Sequence, residues 1–415
     1  MELQSPAATK ATPPGATSAL TPRMGVKAFL KRLSVAVTLT LVLLGLGEGA
    51  SYLVLKSQET RKTTAKIDSP IYRGQSWAAT YWQELESAEK VQYQPFVVWR
   101  RAPFTGSAIN IDAEGVRRTT HSYCDGNAYT IWMFGNSVLW GSGDPDWGTI
   151  PSYLAAKYEN AGRKVCVKNY GEKNWVSTQE LLELMLQLKQ AQRKPDLVIF
   201  YDGITDTWLP FQSAGPDVHG NFNQIKSIFE QAEMSKSMGF EYLLRSNTVR
   251  FLKLVSQRIQ AQGKGGARPL TETQASAMAS TVVTNYFHNM ELVEVLGQHY
   301  GFRCAFFWEP TLLTGWSTLV SPQVAPWIPQ QEPGSRPVFA ATYKLMRNFH
   351  RKDFYYFGDL LNDSPATVWL DNGHTSPDAN RSLAEKMFQT FAGAAGGVKD
   401  AAIARARGLS ELYEP

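Results

Sequence analysis

Apolar positions along this chain fall into short unbroken runs, each stopping at a glycine. Residues 129–135 read YTIWMFG, 164–171 KVCVKNYG and 196–203 DLVIFYDG. Runs of this length without polar alternation predict strands buried on both faces. Between them the period changes. IPSYLAAKYENAG places Ile150, Leu154 and Tyr158 on one helical face, and STQELLELMLQLKQAQ opens with Ser177 and Glu180 at capping-box spacing and stops near Pro195. A later helix, Glu272 to Tyr300, follows Thr271 with Gln274 at the same spacing and ends at Gly301, a residue suited to a left-handed cap; the strand RCAFFWEP comes next. Such alternation predicts an α/β fold: a three-layer α/β/α sandwich with a mainly parallel sheet. Ligands in such folds sit at the carboxyl ends of the strands.

Two stretches interrupt the alternation. Residues 207–270 hold a polar loop and a helical insertion, and residues 314–338 are rich in Pro, Trp and Ser. Each reads either as a roof over the site or as surface decoration. Residues 57–126 show no clear period, which predicts short strands and loops packed onto the main domain.

The longest apolar run is LSVAVTLTLVLLGLGEGASYLVL, residues 33–55, with Glu48 its only charge. A bilayer core needs about 20 such residues in a helix, so a retained single-pass anchor is the expectation, with a cleaved signal peptide as the competing reading. Glu48 facing lipid would be costly, which places it near the outer interface or against another chain. Basic residues flank both ends of the run, so the charge rule barely orients it. The expected organisation is a disordered cytoplasmic tail (1–32), the membrane helix (33–55), a linker and approach segment (56–126), a periplasmic or extracellular α/β domain (127–395) with an insertion at about 207–270, and a C-terminal tail (396–415).

Composition narrows the function classes. Hydrophobic content of 43% with 12 Trp, 17 Tyr and 20 Phe requires a folded core. A net charge of +5, scattered along the chain, gives no basic stripe for nucleic acid. The cysteines, Cys124, Cys166 and Cys304, lack zinc-site spacing, and no clustered ligand set for a metal is visible; no cofactor is expected. Outside the cytoplasm one bridge could join Cys124 to Cys166, which lie beside neighbouring predicted strands, leaving Cys304 buried and free.

Candidate chemistry sits at the strand ends. FGNSVLWGSG puts Ser137 directly after a buried strand, where a tight turn lifts its hydroxyl out of the sheet. A serine needs a base, and His374 in DNGHTSPDAN has Asp371 three residues before it to hold the imidazole; Ser376 and Pro377 then start a helix that steadies the loop. Backbone donors for an oxyanion are expected at strand ends such as Ser137, Gly171 and Gly203. His121, His219, His288, His299 and His350 lack an acid partner at comparable spacing. Trp132, Trp140, Trp147 and Trp208 are candidates for a sugar-binding cleft, with Trp132 also reading as core.

The blocks FGNSVLWGSG, NYGEKNWVSTQE, FYDGITD and DNGHTSPDAN resemble, in order, the Ser, Gly, Asn and His blocks of SGNH (GDSL-like) hydrolases. AEGVRRT, YFHNMELVEVLGQHYGF and FWEPTLL are similar to pieces of membrane-anchored bacterial members, and the resemblance covers roughly residues 95–392. It implies a flavodoxin-like sheet, Ser137 as nucleophile, Asp371 and His374 as the rest of a triad, and Ser137 and Gly171 as backbone oxyanion donors. It also implies a serine esterase that removes or transfers O-acyl groups, acetyl first among them, on envelope carbohydrate or glycolipid, beside envelope polysaccharide machinery. Asn136, Asp206 and Trp208 are the candidate substrate contacts. Two positions depart from the family pattern. Asn136 stands where the family name has Asp, and Thr205 stands where the third block carries Asn. Thr205 offers one hydroxyl on a shorter arm, and loss of one oxyanion donor elsewhere costs about 10²–10³ in turnover. The alternative is therefore a catalytically degenerate domain serving as a glycan-binding or assembly module.

Overall fold

The apolar runs assemble into one sheet. A computed structural model describes residues 26–126, 128–213, 218–232, 246–263, 270–314 and 334–392. Two antiparallel pairs come first, β1 (Val91–Gln94) with β2 (Val98–Arg101) and β3 (Phe104–Thr105) with β4 (Asn110–Ile111). The main sheet follows, built from β5 (Tyr129–Gly135), β6 (Val165–Asn169), β7 (Leu197–Asp202), β8 (Arg303–Trp308) and β9 (Phe354–Tyr356). All its pairings are parallel, in the order β6-β5-β7-β8-β9. The helices are α1 (Val26–Ile67), α2 (Ala78–Ala88), α3 (Ser137–Trp140), α4 (Ile150–Asn160), α5 (Ser177–Gln190), α6 (Ile204–Ser213), α7 (Phe222–Ala232), α8 (Asn247–Gly263), α9 (Glu272–Tyr300), α10 (Ser335–Arg347) and α11 (Pro377–Ala392).

Successive strand side chains point to opposite faces, and here both faces are covered. Ile131, Met133, Leu197, Ile199 and Phe307 pack with Leu154 of α4 and Leu383 of α11. Trp132, Phe134, Val198, Phe200 and Phe306 pack on the other side with Leu184 of α5, Tyr286 of α9 and Tyr343 of α10. The three-layer α/β/α sandwich follows, because strands without a polar face must be covered twice.

Several local expectations have a visible outcome. Thr271 and Gln274 form a reciprocal capping box, and Gly301 closes α9 at φ 81°. Cys124 is bonded to Cys166, while Cys304 is free and half-buried rather than buried. The capping box expected at Ser177 and Glu180 does not form. Val176 is the cap position, the Ser177 hydroxyl donates to Asp206 Oδ1 at 2.6 Å, and Glu180 is buried. The tertiary partner outbids the local one because it satisfies a buried carboxylate. His121 has an acid partner that spacing does not reveal: its Nδ1 lies 2.5 Å from Glu159 Oε2. The approach segment holds more than loops and short strands, since α1 runs on to Ile67 and α2 occupies Ala78–Ala88. Ala78, Tyr81, Leu85 and Ala88 do recur at helical spacing, but alanines give a faint apolar signal. The tails before residue 26 and after 392, and most of residues 314–338, lie outside the described residues.

Three fully buried arginines bind the approach segment to the sheet edge. Arg101 pairs with Glu172 at 3.2 Å, and Arg100 Nη1 donates to the Tyr170 carbonyl at 3.0 Å. Arg117 pairs with Asp146 at 3.2 Å and donates to the Trp140 and Gly141 carbonyls at 2.7 and 2.6 Å. Trp140 lies between the guanidinium groups of Arg101 and Arg117, 3.5 and 4.1 Å from its ring centre. It belongs to this stack, not to a cleft. Trp132 is core, and Trp147 packs edge-on to Trp77.

The described residues form two compact units, one of which holds α1 up to Ser57 and α8 up to Val255. The most apolar part of α1 lies within Val26–Gln58, and none of that part is buried. This is one helix long and apolar enough to cross a membrane. Within the same unit Glu48 meets the start of α8: its carboxylate accepts from the Asn247 N–H and, at 2.8 Å each, from the Thr248 N–H and hydroxyl. The acid in the apolar run thus caps a helix of its own chain.

Breaking a buried ion pair strands a charge. Arg117→Ala is expected to destabilise the second unit by about 3–5 kcal/mol, read as a lowered urea midpoint at an unchanged slope.

Candidate active site

Ser137, Gly171 and Thr205 follow the carboxyl ends of β5, β6 and β7, and Asp371 and His374 meet Ser137 there. At the end of β5, Asn136 is extended and its Oδ1 accepts from the Val138 N–H at 2.8 Å, capping α3 and setting Ser137 as the first helical residue. The opposing loop is a tight return. Trp369 bridges Thr375, and the Leu370 N–H donates to the His374 carbonyl at 2.9 Å, so residues 370–374 turn on themselves. At its tip Asp371 Oδ1 accepts from the Gly373 and His374 N–H groups at 2.9 and 2.8 Å.

The two loops meet. His374 Nδ1 lies 2.7 Å from Asp371 Oδ2, and His374 Nε2 lies 2.8 Å from Ser137 Oγ. With its Nδ1 proton on the Asp371 side, the imidazole accepts the serine proton at Nε2. Asn380 of α11 braces the pair of loops: its Oδ1 accepts from the Thr375 hydroxyl at 2.6 Å, and its Nδ2 donates to Asp144 Oδ2 at 2.8 Å and the Gly148 carbonyl at 2.9 Å.

The charges oppose burial and overcome it. Burial pushes the Asp371 carboxyl up, but the positive charge and hydrogen bond of His374, with the two backbone N–H groups, bring it down to about 2. Burial pulls His374 down, yet the Asp371 charge and hydrogen bond leave it raised above 6.5. That combination makes a base stronger than free histidine, held by an acid that stays ionised.

The remaining site candidates divide. Neither the Ser137 N–H nor the Thr205 hydroxyl has a hydrogen-bond partner among the described residues. The Gly171 N–H donates to Asn169 Oδ1 at 3.0 Å, and any donation to an oxyanion must be shared with that bond. Asn136 and Asp206, candidates for substrate contact, face inward. Asn136 is fully buried with its Nδ2 on Glu309, and Asp206 Oδ1 takes the Ser177 N–H and hydroxyl at 3.1 and 2.6 Å, joining α5 to α6. Trp208 is half-buried and lines a cavity with Asn174, Gln212 and Asn221.

Beneath these loops lies a set of buried acids that the sequence analysis did not select: Glu180, Asp202 and Glu309, alongside Asp206. Burial, then the nearby acids, raises Glu180 and Asp202 well above the usual carboxylate range, and burial pushes Glu309 up to about 8. An acid ending an apolar strand, as in FWEP and IFYD, was the available signal.

No protein-family model and no curated protein matches the chain. Among solved structures, it is similar to the psychrotrophic esterase EstA of a Pseudoalteromonas species, with 10% identity over 65% of this chain and 100% of that one, at a TM-score of 0.33. It is also similar to AlinE4, titled an SGNH-hydrolase family esterase, with 13% identity over 65% and 97% of the two chains at a TM-score of 0.29. It is similar as well to a lipase/acylhydrolase from Enterococcus faecalis, with 12% identity over 64% and 95% of the two chains at a TM-score of 0.28.

Since the base must be neutral to accept a proton, ester turnover should fall as pH drops through the His374 pKa, with an inflection above 6.5 in kcat/KM. In Asp371→Asn the inflection should move down and kcat fall by about 10²–10⁴, checked on an aryl acetate.

Proposed function

We propose that this chain is a serine esterase of the SGNH type, removing or transferring O-acyl groups, acetyl above all, on carbohydrate or glycolipid outside the cytoplasm, with the helix within residues 33–55 as its membrane anchor. The observation that carries the reading is the unbroken path from Ser137 Oγ through His374 to Asp371, with contacts of 2.8 and 2.7 Å. The chemistry divides into two balanced steps. Ser137 Oγ attacks the ester carbonyl while its proton passes to His374 Nε2, and the carbonyl oxygen, now negative, is met by the Ser137 N–H and the Thr205 hydroxyl. Collapse expels the alcohol, which takes the proton back from His374, and leaves an acyl-serine. Water or a sugar hydroxyl then repeats the sequence in reverse, giving hydrolysis or transfer.

A carbohydrate substrate is supported by the cavity beside the third block. It measures about 520 Å³, and its lining includes Asn174, Gln212, Asn221, Asn223 and Gln224 with the Trp208 ring. Among the described residues, none that line it is charged. Amides that both donate and accept, next to an indole, suit a neutral ligand dense in hydroxyl groups. The engaged Gly171 N–H and the short Thr205 arm favour slow turnover, and they also motivate the second reading, a degenerate glycan-binding module.

Full-length protein in detergent micelles should deacetylate an acetylated oligosaccharide, react with a serine-directed phosphonate at one site, and lose both properties in Ser137→Ala. A parent chain that is neither labelled nor active on any acetylated sugar or aryl acetate overturns the esterase reading, and glycan binding that survives Ser137→Ala supports the module instead. Gln212→Ala with Asn223→Ala should raise KM for the acetylated oligosaccharide about tenfold while leaving KM for a small aryl acetate unchanged.

A further inference from the structure

The sequence FWEPTLL ends β8, and its acid has no part in the steps above. Glu309 is fully buried, and its Oε1 accepts two hydrogen bonds of 2.7 Å each, one from the Asn136 side-chain amide and one from the Ile204 backbone N–H. Asn136 caps the helix that starts at Ser137, and Ile204 precedes Thr205. One oxygen therefore holds both the turn that presents the nucleophile and the turn that presents the side-chain oxyanion donor. The residues just after it reach the third loop: the Thr311 hydroxyl and the Leu312 N–H donate to the Asn372 carbonyl at 2.8 and 3.1 Å. The packing is close. A Cβ on Gly203 would lie 3.1 Å from Glu309 Cγ, at a φ of 149°, and one on Gly373 would lie 2.4 Å from Ile204 Cδ1.

We propose that Glu309 is a positioning residue for the esterase reaction, its Oε1 fixing the separation between the Ser137 hydroxyl and the Thr205 oxyanion donor. The proposal rests on the esterase reading for its kinetic consequence but not for its geometry. Asn136 donates through its amide to Glu309 and keeps its own Oδ1 for the Val138 N–H. The acceptor needs no charge: burial raises Glu309 to about 8, so near neutral pH it is largely the protonated acid, and a glutamine offers the same oxygen.

Three variants of the full chain in detergent micelles test this, each followed by aryl acetate kinetics and by backbone hydrogen exchange across residues 203–207. Glu309→Met, which keeps the bulk and removes the acceptor, should lower kcat roughly 10–100-fold with KM within about twofold, and should release the Ile204 amide to exchange. Glu309→Gln should keep kcat within about threefold and keep the amide protected. Asn136→Ala removes the link to Glu309 together with the cap on α3 and leaves the Glu309–Ile204 hydrogen bond, so kcat should fall while the Ile204 amide stays protected. Full kcat or full Ile204 protection in Glu309→Met overturns the proposal, as does a Glu309→Gln variant as slow as Glu309→Met. Should Glu309→Met fail to fold, the other two variants still decide by the same criteria. A parent with no turnover defeats the esterase reading alone, and the exchange results still decide the positioning role.

Discussion

The 2.8 Å contact between His374 Nε2 and Ser137 Oγ joins residues 237 positions apart, on loops that have no covalent reason to meet. It exists because five parallel strands end at one edge, and because apolar residues on both faces of the sheet leave that edge as the place where polar side chains can be solvated or paired. Holding the contact takes more than the edge. Asn380 ties the histidine loop to the serine loop, Thr311 ties it to the end of β8, and the carboxylate of Asp371 closes the loop on its own backbone. A reacting pair held this way needs little reorganisation when a substrate arrives.

The same edge concentrates ionisable groups that globular interiors normally reject. Arg101 and Arg117 face Glu172 and Asp146, and their guanidinium planes enclose Trp140, so desolvation is offset by pairing and by the ring. The acids follow another logic. Glu180 and Asp202 have each other for company, and Tyr286 donates to Asp202 at 3.2 Å, an arrangement stable when a proton is retained between the carboxyl groups. Glu309 solves the problem with two donors on one oxygen. In the other unit Glu48, within the longest apolar run, is satisfied by the N-terminus of α8. The Arg101–Glu172 and Arg117–Asp146 pairs and the Glu309–Asn136 hydrogen bond join residues distant in sequence, so each is a tertiary tie as well as an electrostatic one.

Two departures from the family pattern then acquire physical content. Asn136 is coupled to Glu309, so its amide is part of a matched pair. Thr205, whose hydroxyl has no hydrogen-bond partner among the described residues, lies in the first turn of α6, where the preceding Ile204 N–H donates to Glu309.

The sequence by itself determined four of the five strands of the main sheet, because apolar runs such as YTIWMFG leave no polar face and so require burial on both sides. It determined the Thr271 and Gln274 cap, an interaction complete within four residues, and it picked out Ser137, Asp371 and His374 as candidates from strand-end position and short-range spacing. What it left open, only the tertiary structure decided. Whether Ser177 caps its own helix or ties to Asp206, whether Asn136 meets substrate or Glu309, and where Trp140 and Arg117 go all depend on partners separated by 23 to 173 residues. Local spacing encodes interactions that close within a turn or two; a buried polar group takes whatever partner the packed sheet edge brings to it, and that partner has no fixed offset along the chain.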